Sequence, residues 1–136
     1  MKETRPISVG VAIVTLNAER EVEPALRAVL ASSVVTRCLV LDSSSTDGTV
    51  ALVERLGAEV HVLPRAEFNH GATREKARKL LATDIVVLLT QDVIPEDDFI
   101  AELIKPIQRG EVAVAYSRQL PHTGAGFFEA FPREFN

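Results

Sequence analysis

A single cysteine, Cys38, in 136 residues excludes an internal disulfide and any cysteine-cluster metal site. It stands in the apolar run Cys38-Leu39-Val40-Leu41, which reads as a buried strand thiol; a reactive thiol needs exposure and a lowered pKa. Long apolar runs are missing as well. No stretch approaches the ~20 residues of a membrane span, and Met1 to Pro6 lead into no signal-like segment. A cytoplasmic protein is therefore expected, with no membrane span and at most a peripheral place at the inner face of a membrane. Excess positive charge is also lacking. Lys and Arg number 15 against 19 Asp and Glu, a net charge of −4, which argues against a nucleic-acid partner. A phosphorylated small molecule stays compatible, because one loop and one metal ion can hold a diphosphate. Neither G-x-G-x-x-G nor G-x-x-x-x-G-K-[ST] occurs, and there is no Ser-His-Asp or H-E-x-x-H constellation. Repeats, linkers and low-complexity tracts are absent.

What remains is an ordinary globular composition, 46% hydrophobic and 25% charged, sized for one domain. Five short runs rich in β-branched residues read as strands: Ile7 to Thr15, Arg37 to Leu41, Glu59 to Leu63, Ile85 to Leu89 and Val112 to Tyr116. Segments of helical period separate them. Val22, Leu26, Val29 and Leu30 share one face, and Val50, Val53 and Leu56 another, the second helix capped by Thr46 or Asp47 and ended by Gly57. A third helix spans about Gly71 to Leu81. A fourth opens at Pro95 with Glu96, Asp97 and Asp98 in its first turn, and Pro106 ends or kinks it. Alternating strands and helices with long connections predict an open, mostly parallel α/β sheet with helices on both faces.

Ligands of such sheets bind outside the carboxyl ends of the strands. Three strands end in suitable residues: Thr15-Leu16-Asn17, Asp42-Ser43-Ser44-Ser45-Thr46-Asp47-Gly48-Thr49 and Thr90-Gln91-Asp92. Each has a plainer reading. The run after Asp42 suits a turn and a helix cap, and Glu96 to Asp98 suit a helix dipole. Asp42 is thus a ligand-facing carboxylate or a turn residue, and Asp92 a metal ligand or a turn residue. His70 reads as a structural histidine. Arg74 is a phosphate or base contact or an exposed helix arginine, and Lys76, Arg78 and Lys79 read as exposed.

Taken together these segments resemble family 2 inverting glycosyltransferases of the GT-A fold, a Rossmann-like nucleotide-diphospho-sugar transferase fold, and within them the rhamnosyltransferase-like branch. Val11 to Asn17 resembles the family's first strand and uridine-pocket loop. Leu41 to Thr49 is similar to its second, the most specific match. Phe68 to Arg74, Thr90 to Pro95, Arg118 to Pro121 and Phe131 to Asn136 resemble the rhamnosyl pattern. The resemblance implies that Thr15 and Asn17 line the base and ribose pocket and that Asp42 accepts a hydrogen bond from the pyrimidine ring. It places Arg74 near the base or diphosphate. Asp92 matches the last carboxylate of the D-x-D motif and would bind Mg²⁺ or Mn²⁺. Implied partners are a dTDP- or UDP-linked sugar, plausibly dTDP-rhamnose, and a glycan or lipid-linked glycan acceptor in cell-surface polysaccharide synthesis.

Two departures stand out. Thr90 replaces the first Asp of D-x-D, as in the rhamnosyl branch, and the family's catalytic base is expected beyond residue 136. Residues 1–136 are therefore expected to form the donor-binding portion, truncated before the acceptor half. His70, His122 and Glu129 have no context that recommends them as the base, so the catalytic residue is left unassigned. A non-catalytic nucleotide-binding or assembly module is the competing expectation. Nucleotidyltransferase and receiver-domain readings lack, respectively, a glycine-rich phosphate loop and a strand-end acidic cluster with lysine. Phe127, Phe128, Phe131 and Phe135 crowd the last ten residues, which points to a homodimer through this tail.

Overall fold

The aliphatic runs form parallel strands only as far as they find neighbours. The structure, a computed structural model, describes residues 4–118 and 120. In chain order the elements are β1 (Val9–Thr15), α1 (Val22–Ala31), β2 (Arg37–Asp42), α2 (Thr49–Leu56), β3 (Glu59–Val62), a 3₁₀ turn (Arg65–Glu67), α3 (His70–Leu81), β4 (Ile85–Thr90) and α4 (Phe99–Gln108). Residues up to Glu102 form one compact unit and those from Leu103 onward a second. All four strands and α1 to α3 belong to the first.

The sheet is parallel throughout, in the order β3-β2-β1-β4. From β1 the chain steps to β2 and then β3 in one direction, and returns past β1 to reach β4. With right-handed crossovers, α1 and α2 therefore cover one face and α3 the other. The packing agrees, since α1 lies against α2 while α3 lies on β1 and β2. Side chains alternate across the sheet. On the α3 face, Ala12, Leu39 and Leu41 join Leu63, Ala77 and Leu81 in one buried cluster. Val11, Ile13 and Val40 are fully buried on the opposite face. Each large aliphatic chain buried in this way stabilises the fold by roughly 1.5–3 kcal/mol.

The helices present the faces their periodicity requires. α1 buries Val22, Ala25, Leu26 and Val29, and α3 buries Thr73, Ala77 and Leu81 at four-residue intervals. α2 stops at Gly57, whose φ of +93° is the left-handed geometry that a side chain would strain. At the amino edge, Arg37 pairs with Glu59 and donates to the terminal carbonyls of α3, Leu80 O at 2.9 Å and Leu81 O at 2.8 Å. Cys38 is buried in β2, and burial pushes its thiol up to about 12, as an inert strand cysteine requires.

Three expectations are corrected. Val112 to Tyr116 form no strand; Val114 and Tyr116 are largely exposed, and an apolar run without a ladder partner has nothing to hold it extended. α4 begins at Phe99, leaving Glu96, Asp97 and Asp98 ahead of it, because Asp98 adopts φ +60° and breaks the helical path. Pro106 does not end α4; it lies inside the helix, two residues before Gln108. The helix loses one amide donor there but continues through Arg109 N–H to Lys105 O at 3.0 Å, closing at Gly110.

Candidate functional site

A parallel sheet delivers all its strand ends to one edge, and the strand order reverses at β1, between β1 and β4, the position where open sheets of this kind form their ligand crevice. Thr15, Asn17, Asp42, Thr90 and Asp92 all arrive at this edge. Thr15 and Asp42 are paired in register as the last residues of β1 and β2.

Asp42 is completely buried and Thr15 nearly so. The Asp42 carboxylate accepts from the Thr15 hydroxyl at 2.8 Å, the Ser45 hydroxyl at 2.6 Å and the Ser45 N–H at 2.8 Å. A buried charge is tolerable only with donors of this kind around it. The Ser/Thr/Asp run thus folds back over its own aspartate, and Ser44, at φ +58°, makes the bend while its hydroxyl donates to Leu63 O.

The same run is stitched to the loop after β1. Asn17, at φ +46°, donates its N–H to Ser45 Oγ at 2.8 Å and accepts from Thr46 N–H at Oδ1, 2.9 Å. Ala18 N–H donates to Thr49 Oγ1 at 2.8 Å, and that hydroxyl in turn donates to Asp47. Asp47 also accepts from the N–H groups of Thr49 and Glu19. Neither Thr46 nor Asp47 is the cap expected from sequence, because the cap position falls on Gly48 with no side-chain capping bond; the Thr49 hydroxyl holds the Asp47 carboxyl below the usual range. Glu19 accepts from Gly48 N–H at 3.1 Å. A β-carbon at position 48 would lie 2.5 Å from Glu19 Oε1, so glycine permits the approach.

The β4 side is more open. Thr90 and Asp92 are exposed, and the Thr90 hydroxyl donates to Asp92 Oδ1 at 2.7 Å. Gln91 reaches back across the crevice: Oε1 accepts from Leu16 N–H at 2.9 Å, and Nε2 donates to Glu21 at 3.0 Å. Arg74 approaches from the α3 face. Because the last turn of α3 lies at the amino edge of the sheet, its 12 residues, at about 1.5 Å each, carry its first turns to the carboxyl edge. Arg74 is exposed there. Asn69 caps the helix, accepting from Gly71 N–H and Ala72 N–H at 3.0 and 3.1 Å. His70 stacks edge-on against Phe68, ring centres 4.9 Å apart.

Among the described residues no three His, Cys, Asp or Glu side chains gather into a metal cage. The oxygen donors of Asp92 and Thr90 suit a hard divalent cation that takes its other ligands from phosphate and water. They do not suit a soft metal.

The model of glycosyl transferase family 2 matches residues 10–134. The chain belongs to that family. Among family 2 relatives it is similar to the O-antigen chain rhamnosyltransferase WbaN of Salmonella anatum, 37% identical over 103 residues, covering 74% of this chain and 33% of that protein. It is also similar to glucosyl-3-phosphoglycerate synthase of Mycobacterium tuberculosis H37Rv, 33% identical over 113 residues, covering 76% of this chain and 35% of that one. The chain thus spans about a third of the length of the curated relatives it matches. A crystal structure of the mycobacterial synthase with Mn²⁺, UDP and glucosyl-3-phosphoglycerate superposes with a TM-score of 0.66 at 26% identity, covering 74% of this chain and 39% of that one. Its UDP complex gives a TM-score of 0.68 at 27% identity, covering 77% and 41%. The parallel sheet is therefore that of a GT-A glycosyltransferase.

The structure draws Thr15, Asn17 and Asp42 into one hydrogen-bonded group. Thr90 and Asp92 lie across β1 from it, and Arg74 stands at the same edge on the other face. Glu19, Ser45, Thr49 and Gln91 were not singled out from sequence. Ser45, Thr49 and Gln91 carried a signal only as members of strand-end runs; Glu19 carried none, since its partner Gly48 lies 29 positions away. The phenylalanine tail, His122 and Glu129 lie outside the described residues. No described helix is long and apolar enough to cross a membrane.

Proposed function

We propose that this chain is the donor-binding portion of a glycosyltransferase that takes a pyrimidine nucleoside diphosphate sugar, with rhamnose as the sugar, and transfers it with inversion to an acceptor hydroxyl. The observation that carries the reading is the convergence at one sheet edge of a prebuilt polar pocket (Thr15, Asn17, Asp42) and an exposed carboxylate (Asp92). Asp42 ends β2 and Asp92 follows β4 with β1 between them, so these two carboxylates lie two strand spacings apart, ~10 Å, while Thr15 and Asn17 belong to β1 and its loop. A nucleoside diphosphate spans that gap, its base at the pocket and its phosphates at Asp92.

In this reading Thr15 and Asn17 line the base and ribose pocket, and Asp42 both orders the pocket loop and faces the pyrimidine. Arg74 neutralises phosphate charge from the α3 side. Asp92, with the Thr90 hydroxyl bound to it, would hold Mg²⁺ or Mn²⁺; the cation would act as a Lewis acid on the departing diphosphate. Mn²⁺ and UDP together in the mycobacterial synthase support this assignment. The similarity to an O-antigen rhamnosyltransferase supports a glycan or lipid-linked glycan acceptor and a place in surface polysaccharide synthesis on the cytoplasmic side. The single-domain reading of residues 1–136 and dimerisation through Phe127 to Phe135 remain proposals from sequence, the latter tested by light scattering across micromolar concentrations.

Amide resonances provide the test. UDP should shift Thr15, Asn17 and Asp42, and Mn²⁺ added with it should broaden residues 90–92 selectively. Shifts confined to other parts of the sheet would refute the assignment.

A further inference from the structure

We infer that Gln91 is a positioning residue that sets the span between the pocket loop and the Asp92 carboxylate; this rests on the donor-site reading above. The β1–β4 ladder ends at the pair Val14 and Thr90, beyond which the two chains part. Gln91 continues the ladder with its side chain. Its Oε1 takes the Leu16 N–H at 2.9 Å, the bond a main-chain carbonyl would have made had the strands stayed together. The other end of the amide is held as firmly, donating to Glu21 at 3.0 Å. Chemistry fixes the orientation: an N–H can only meet the amide oxygen, and a carboxylate only the amide nitrogen.

Glu21 is committed to this contact. It occupies the residue before α1, where a side chain ordinarily caps the helix, yet it makes no capping bond. The two residues joined by the clamp are the informative ones. Leu16 lies between Thr15 and Asn17 of the pocket, and Gln91 lies between Thr90 and Asp92. One side chain therefore spans the crevice and ties both halves of the proposed site to the same frame, as supporting hydrogen bonds do for metal ligands.

The variants Q91E and Q91E/E21Q test it. Q91E sets a carboxylate against Glu21 and opens the clamp. The double variant exchanges donor and acceptor, so an amide at position 21 donates to the carboxylate at position 91, whose other oxygen still accepts from Leu16 N–H. In calorimetric titration with UDP and Mn²⁺, Q91E should lose about tenfold or more in affinity, and the double variant should recover most of it. Hydrogen exchange of the Leu16 amide should follow the same order: slow, fast, slow. Thermal midpoints should stay within about 3 °C, since the contact is exposed. Affinity in Q91E within twofold of wild type overturns the inference and leaves the donor site standing. A loss that the double variant does not repair, or a Leu16 amide unprotected in wild type, overturns it as well. Absence of UDP binding by the wild-type chain defeats both readings.

Discussion

Asp42, at the end of β2, and Asp92, just past the end of β4, stand at the same sheet edge with β1 between them, yet they are built in opposite ways. Asp42 is sealed, accepting from Thr15 and twice from Ser45. Asp92 is exposed, beside a hydroxyl that bonds to it. A buried carboxylate with three donors organises backbone, whereas an exposed carboxylate at the sheet edge is reachable from solvent. In the proposed reading the β1–β2 side is preorganised and the β4 side captures the ligand, with Gln91 between them.

Substituting the two aspartates should separate these roles. Asp42→Ala strands the buried Thr15 hydroxyl and two part-buried Ser45 donors and should cost about 3 kcal/mol of stability, measured by urea unfolding. A cost below about 1 kcal/mol would mean the loop is not held by this group. Asp92→Ala should leave stability within about 0.5 kcal/mol while removing the enhancement of nucleotide binding by Mn²⁺. Unchanged metal dependence would take Asp92 out of the site. Thr15→Val keeps shape but deletes one of the Asp42 donors, for a smaller loss of about 1 kcal/mol.

The weakest effect should come from a carboxylate at the amino edge. Asp84 accepts from Arg5 and from the Ser8 N–H and hydroxyl, with the Arg5 guanidinium foremost in holding its carboxyl well below the usual carboxylate range. Its folded value lies below the unfolded one. The stability it contributes is therefore present above about pH 4 and lost as pH falls through the folded value. Asp84→Asn should lower the unfolding midpoint slightly at neutral pH and match wild type in strong acid. An equal gap at every pH would contradict this account.

β1 and β2 were legible because both of their faces are covered, so Val9 to Ile13 and Leu39 to Leu41 read as apolar runs, and β3 and β4, exposed in part, were legible from their β-branched residues. The same signal misled at Val112 to Tyr116, where apolarity is present but a ladder partner is not. The chemistry-bearing strand ends were legible too, because parallel winding alone sends Thr15, Asp42 and Thr90 to one edge. What holds them was not. The bond from Asn17 N–H to Ser45, the approach of Glu19 to Gly48 and the Gln91 clamp join positions 28, 29 and 75 apart, and no local pattern records such pairings. Thr46 or Asp47 was expected to cap α2, but the cap position falls on Gly48 with no side-chain capping bond, and Asp47 accepts from Thr49 N–H one residue ahead of that position.

The most direct test of the account is calorimetric titration of the chain with UDP and dTDP, in parallel with and without Mn²⁺. The contrast between a preformed pocket and a capturing carboxylate predicts nucleotide binding that Mn²⁺ strengthens, and that loses this strengthening in Asp92→Ala. A folded chain that binds neither nucleotide under either condition would contradict it.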